Sequence, residues 1–187
     1  MKTLGFILGF SFAIGMVLVI FMVMLKKANT DGAMRTKFDE RQQMVRGQGY
    51  KYSFWTLVGL VTASILLRAF EVELPIKDEV YLFLLILFSV LVHTVYCIFN
   101  DGYFGINNEP KKYYISFVLI GIGNLVIGIL NSIGGRLISD GKLDLPAMNL
   151  VCGMMFVIVG ISVFIKNKMD PDSDDSDDEG YDEEGGV

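Results

Sequence analysis

The apolar residues of this chain are gathered into five blocks, at residues 4–25, 54–70, 80–99, 115–133 and 147–165. A hydrocarbon core of roughly 30 Å is crossed by about 20 helical residues at about 1.5 Å rise each. Each block therefore has spanning length, the second with help from its flanks. In lipid, backbone N–H and C=O groups must be satisfied within the segment, which for blocks this long means a helix. The expectation is an all-α, polytopic membrane helix bundle with five transmembrane helices. Arg68, near the end of the second block, is the one formal charge inside any of them.

The chain of 187 residues leaves no connecting segment long enough for a separate soluble domain. It divides into a membrane domain at 1–169, with a basic loop at 26–53, and an acidic tail at 170–187. The net charge of −5 conceals this division. The tail holds ten acidic side chains and no basic one, whereas residues 1–169 carry 16 basic against 11 acidic. A block such as Asp170–Glu179 repels itself and has nothing to bury, so the tail is expected to be disordered. Asp175, Asp177 and Glu179 imitate the start of a calcium loop, but its twelfth position is Gly186 instead of glutamate. The first block reads as a retained helix, because it exceeds the about 7–15 apolar residues of a signal peptide and Lys26-Lys27 follow it.

Basic residues orient the bundle. The loop at 26–53 holds seven: Lys26, Lys27, Arg35, Lys37, Arg41, Arg46 and Lys51. Alternate segments add Lys111, Lys112, Lys166 and Lys168, for eleven on one side against five on the other. The positive-inside rule then gives a multi-pass plasma-membrane protein with its N-terminus outside and its C-terminus cytoplasmic. Tyr50, Tyr52, Trp55, Tyr103, Tyr113 and Tyr114 mark the same interface, as aromatic anchors do.

Within the basic loop, Thr30 or Asp31 is placed to cap a short helix over about 33–46, stopped by Gly47 and Gly49. Its basic side chains would attract anionic lipid at the inner face, by about 1 kcal/mol each near the surface. The same loop carries Asp39-Glu40-Arg41-Gln42, then Arg46-Gly47, then Tyr50-Lys51-Tyr52 directly before an apolar block. This arrangement resembles a group of small multi-span membrane proteins of Gram-positive bacteria with a similar D-E-R-Q, R-G, Y-K-Y boundary. The resemblance covers about 20 residues and implies a bacterial plasma membrane but no activity. It marks Asp39, Glu40, Arg41, Arg46, Tyr50 and Tyr52 as a cytoplasmic interaction motif. Asp39 and Glu40 are expected to pair with bases of this loop or with Lys111-Lys112.

Inside the membrane, ionisable and polar groups are the default place to look for transport or catalysis. In the third block Ser89, His93, Cys97 and Asn100 form a polar stripe at helical spacing. In the fourth, Gly121, Asn124, Gly128, Asn131 and Gly135 alternate small and amide side chains, a pattern that lets helices approach and hydrogen-bond. The simplest packing sets these two stripes against each other, creating a polar centre of Ser89, His93, Asn100, Asn124 and Asn131. Arg68 is placed to snorkel or to pair with Glu71. Gly5, Gly9 and Ala13 form a small-residue face on the first block, a weak signal for helix contact or dimerisation. Cys97 and Cys152 fall toward opposite ends of their spans, an axial gap of about 15 Å. A disulfide needs Cα atoms within about 7 Å, so both read as free thiols.

No H-E-x-x-H or G-x-S-x-G sequence is present, and a single histidine cannot build a histidine-rich metal site. No catalytic residue, metal or cofactor is therefore expected, and no nucleic-acid partner. The expected partners are the bilayer, with anionic lipid at the inner face, and a second copy of the chain or another membrane protein. Two functional readings stay open. One is a non-enzymatic membrane protein acting by assembly at its cytoplasmic face; the other is a small transport or channel component using the polar centre around His93 and Asn124.

Overall fold

The computed structural model describes residues 29–32, 35–108 and 110–169, with Met22, Val23 and Lys26 as isolated positions. The block at 4–25, except Met22 and Val23, and the tail at 170–187 lie outside the described residues. So do Gly5, Gly9 and Ala13. The described chain is all-α in character, with four long helices: α1 (Glu40–Ala69), α2 (Asp78–Phe99), α3 (Pro110–Ile133) and α4 (Met148–Met169). All four are long and apolar enough to cross a membrane.

The largest departure from expectation is α1. Instead of a short interfacial helix broken at Gly47 and Gly49, a single helix of 30 residues runs from Glu40 to Ala69. Its cap is Asp39, whose carboxylate accepts from Gln42 N at 2.6 Å while the Gln42 side chain accepts from Asp39 N at 3.3 Å. This reciprocal capping box starts the helix seven residues later than the sequence signals at Thr30 and Asp31 imply. A helical glycine costs only about 1 kcal/mol relative to alanine, too little to stop a helix that continues into an apolar span.

The helices pack in the order α1, α2, α4, α3, so α2 and α3, though consecutive, do not form a pair. At one end of the bundle the α1–α2 and α3–α4 connections are stitched together. Ile138–Ser139 (β1) and Lys142–Leu143 (β2) pair antiparallel. Asp140 and Gly141 turn the hairpin, both at positive φ (54° and 74°), as a type I′ turn requires. Leu143 N then donates to Pro75 O at 2.8 Å and Lys77 N to Leu143 O at 3.0 Å, with Lys77 and Asp144 paired at 2.6 Å. Arg68 pairs with Asp78 at 2.6 Å, not with Glu71. At the opposite end, residues 29–32 and 35–46 meet the loop at 100–108.

Between α3 and α4, large side chains seat over glycines. A Cβ on Gly128 would meet Leu150, one on Gly153 would meet Leu125, and one on Gly121 would meet Phe156, all at 2.5–2.9 Å. The small stripe of α3 is thus a packing face, as its spacing implies, but its partner is α4. An apolar cluster of Ile98, Val159 and Val163, with Leu91, Tyr103, Phe104 and Phe117 around it, closes the bundle beneath the 100–108 loop. Phe54, Trp55, Leu82, Phe88, Leu119 and Leu130 are exposed, the arrangement a bilayer solvates and water does not.

Gly153→Val should cost about 1–3 kcal/mol through overpacking against Leu125. Gly123→Ala, where an added Cβ meets nothing within 4 Å, should be neutral or slightly stabilising. Thermal unfolding of the two variants in detergent separates these outcomes; equal midpoints would contradict the α3–α4 packing.

Candidate functional site

Asp101 stands at the centre of the polar end. It follows the C-cap of α2, Asn100, and holds a left-handed φ of 59°, a conformation that favours glycine. The next residue, Gly102, has its N–H bonded back to Cys97 O at 2.8 Å, which closes the helix. An aspartate in this position brings a carboxylate to the end of α2. One oxygen accepts from Arg41 Nη2 at 2.9 Å and the other from Lys166 Nζ at 3.0 Å. Three helix ends, those of α1, α2 and α4, meet on one side chain. Burial alone would raise the pKa of this carboxyl, but hydrogen bonds from Lys166 and Arg41 outweigh it and hold the pKa below the ordinary 3.8. The stabilisation is present above the unfolded carboxylate pKa and is lost as pH falls through the depressed folded value.

The motif of α1 grips the rest of this loop. Gln42 Nε2 donates to Phe104 O at 3.0 Å, and Arg46 Nη1 to Gly102 O at 3.4 Å while its guanidinium lies 4.1 Å from the Phe38 ring centroid. Asp39 is used as a cap and, among the described residues, pairs with no base; the side chains of Lys111 and Lys112 lie outside the description. Glu40 occupies the first turn of α1, where its charge complements the positive helix end, and is exposed. Gly102 and Gly105 permit the contact: a Cβ on the first would strike Val45, and one on the second would strike Lys37 O and Thr36.

Two buried asparagines complete the cap. Asn107 accepts from Lys37 N at 2.7 Å and donates to Asp31 Oδ1 and Arg35 O, both at 3.1 Å. Asn29 is likewise buried and accepts from Asn108 Nδ2 at 2.6 Å. Such amides are costly to bury unless paired, so their partners hold residues 29–31 and 35–37 against the loop. Burial, then the neighbouring Tyr113 phenol, push the Tyr103 phenol beneath this cap up to about 12.

The polar stripe of α2 turns toward α1. Ser89 Oγ lies 2.8 Å from Ser53 Oγ and donates to Ser53 O at 2.7 Å. His93 stacks on Tyr50 with centroids 4.3 Å apart, and the Cys97 Sγ lies 3.7 Å from its Nε2. Tyr52 and Tyr96 follow at 4.9 Å. Gly49 makes this approach possible, because a Cβ there would lie 2.8 Å from His93 Nδ1 and 2.9 Å from Cys97 Sγ.

The expected meeting of the two stripes does not occur. Asn124 donates to Ile120 O of its own helix at 2.9 Å, and Asn131 to Pro146 O at 3.4 Å. Asn100 caps α2, its amide on Tyr96 O at 2.8 Å. Ser89, His93, Asn124 and Asn131 thus belong to two different interfaces, because α2 packs between α1 and α4 while α3 packs on the far side of α4. Both cysteines are free. Sequence reasoning missed Asp101, Asn107 and Asn108, and included Gln42 in the motif without giving it a role. The density of Asn, Asp and Gly over 100–108 was the available signal for a structured turn. Gly49 and Ser53 form a small-x-x-x-small pair that signals the α1–α2 contact.

In a Cys152→Ser background, Cys97 is the remaining thiol and is fully buried. Gly49→Ala should wedge α1 from α2 at a cost of about 1–3 kcal/mol and raise maleimide labelling of Cys97 about tenfold or more. Gly47→Ala, with nothing within 4 Å of the added Cβ, should leave the rate unchanged. Equal rates in the two variants would contradict the close contact. No protein-family model matches the chain, and neither a curated protein nor a solved structure does.

Proposed function

We propose that this is a five-span plasma-membrane protein, N-terminus outside and C-terminus cytoplasmic, that acts without catalysis by assembling with itself or another membrane protein. The observation that carries the reading is the cap around Asp101. It is a built structure, with two buried asparagines and three helix ends joined, and it presents Arg35 and Lys51 as exposed cations beside Lys37 and Arg41, which are exposed but paired with Asp31 and Asp101. A rigid, positively charged platform at a span boundary suits an acidic partner segment or the anionic inner leaflet. The segments with the most basic residues meet at this end, which supports the cytoplasmic assignment. The acidic tail, following Lys166 and Lys168, enters the same compartment in this topology and is itself a candidate ligand of the platform.

The middle of the bundle gives transport less support. His93 and Asn124 lie in separate interfaces. A 300 Å³ cavity among α1, α2 and α4 is walled by apolar side chains, including Leu60, Leu84, Leu91, Val151 and Met155. Neither feature makes a hydrated path.

Chemical cross-linking in membranes, followed by size analysis of the gently solubilised protein, tests the proposal. Arg35→Gln with Lys51→Gln, which leave the Asp101 contacts and the Lys37–Asp31 pair in place, should shift the cross-linked species toward the monomer. His93→Leu with Asn124→Leu should leave it intact. The reverse pattern would overturn assembly through the cap in favour of the polar interior.

A further inference from the structure

At the end of the bundle opposite Asp101, the C-terminal turns of α1 and the start of α2 enclose a recess of 170 Å³ under the β-hairpin. Ser64 and Tyr81 form part of its lining. Ser64 donates its one hydroxyl proton to Leu60 O at 2.6 Å, so in the 2.7 Å contact between Ser64 and Tyr81 the phenol is the donor. The Tyr81 oxygen is left able to accept a further hydrogen bond. Arg68 and Asp78, paired with each other, also line the recess. Glu73 and Lys142 line it as well, and neither side chain forms an ion pair or hydrogen bond among the described residues. Glu73 and Lys142, both exposed, give the recess one anion and one cation, which a ligand carrying both charges would match.

Size and position narrow the class. The volume is below the roughly 300–1,000 Å³ of sites that enclose a whole small molecule, so the recess takes a headgroup-sized piece. Leu67 and Val72 give it apolar walls, and it lies at the boundary of two spans, where headgroups reside. Asp78 and Glu79 already complement the positive end of α2, so the anion subsite consists of Lys142 and those Arg68 N–H groups that Asp78 does not take. We propose that the recess holds the zwitterionic headgroup of an aminophospholipid, its phosphate toward Lys142 and Arg68 and its ammonium toward Glu73 and the Tyr81 oxygen. The shared chemistry is an ammonium joined to a phosphate. The acyl chains then lie along the exposed apolar faces of α1 and α2, which commits the site to a lipid source.

Native mass spectrometry of the full chain, released from detergent after titration with defined lipids, tests this. Phosphatidylethanolamine should be retained about tenfold more than phosphatidylglycerol, a difference of about 1.4 kcal/mol. Glu73→Gln and Lys142→Gln should each abolish the preference at unchanged helicity; both positions are exposed and unpaired, so folding is not at stake. Equal retention of the two lipids, or a preference that survives both substitutions, would overturn the proposal. Displacement of the lipid by an equal concentration of free phosphoethanolamine would overturn the lipid source, and its failure to displace supports it.

Discussion

The carboxylate of Asp101 is the contact on which the polar end of the bundle depends. A membrane protein gains little from burying apolar surface within lipid, because the hydrocarbon is as apolar as the side chains. Helices must therefore be held by close packing and by polar contacts at their ends. Asp101 occupies a backbone conformation that glycine would adopt more readily, and in return its two oxygens receive Arg41 and Lys166. Each exposed ion pair of this kind is worth only about 0–1 kcal/mol. The cap gains its definition from the combination with Gln42, Arg46, Asn107 and Asn108, whose partners are backbone groups of specific loops.

The rest of the bundle uses two different kinds of contact. Between α1 and α2 the contact is polar and aromatic: Ser53 on Ser89, Tyr50 on His93, and Ser64 on Tyr81. Between α3 and α4 it is shape alone, with Leu125, Leu150 and Phe156 seated over glycines. Each pair joins spans that are consecutive in sequence and linked by a short connection, and each connection is stitched to the other through Leu143 and Pro75. The intramembrane polar groups are consumed by this packing, which moves the functional reading from the interior to the charged ends.

Apolar block length made the helices legible, since about 20 uncharged residues in a row have few other uses. The boundary motif at 39–52 stood out in the sequence, but the contacts its side chains make did not. Asp39 and Glu40 look like ion-pair partners in a basic loop; only the backbone geometry reveals Asp39 as a cap. Gly47 and Gly49 read as helix stops because local propensity counts a glycine as a cost, whereas tertiary contact makes Gly49 a requirement. The stripes of α2 and α3 were correctly seen as faces, yet their partners depend on helix order, which periodicity does not encode. Asp101, Asn107 and Asn108 gain meaning only through contacts about 60–80 residues distant in sequence, beyond the reach of any local pattern.

Amide hydrogen exchange on the Asp101→Asn protein at neutral pH tests most directly whether this one carboxylate organises the polar end. Asparagine tolerates the left-handed backbone, so the substitution removes charge without adding strain. Exchange should become faster at residues 39–49 and 102–108 together, with the middle of α3 unchanged. Exchange that stays at the wild-type rate, or rises in only one of the two segments, would contradict that role.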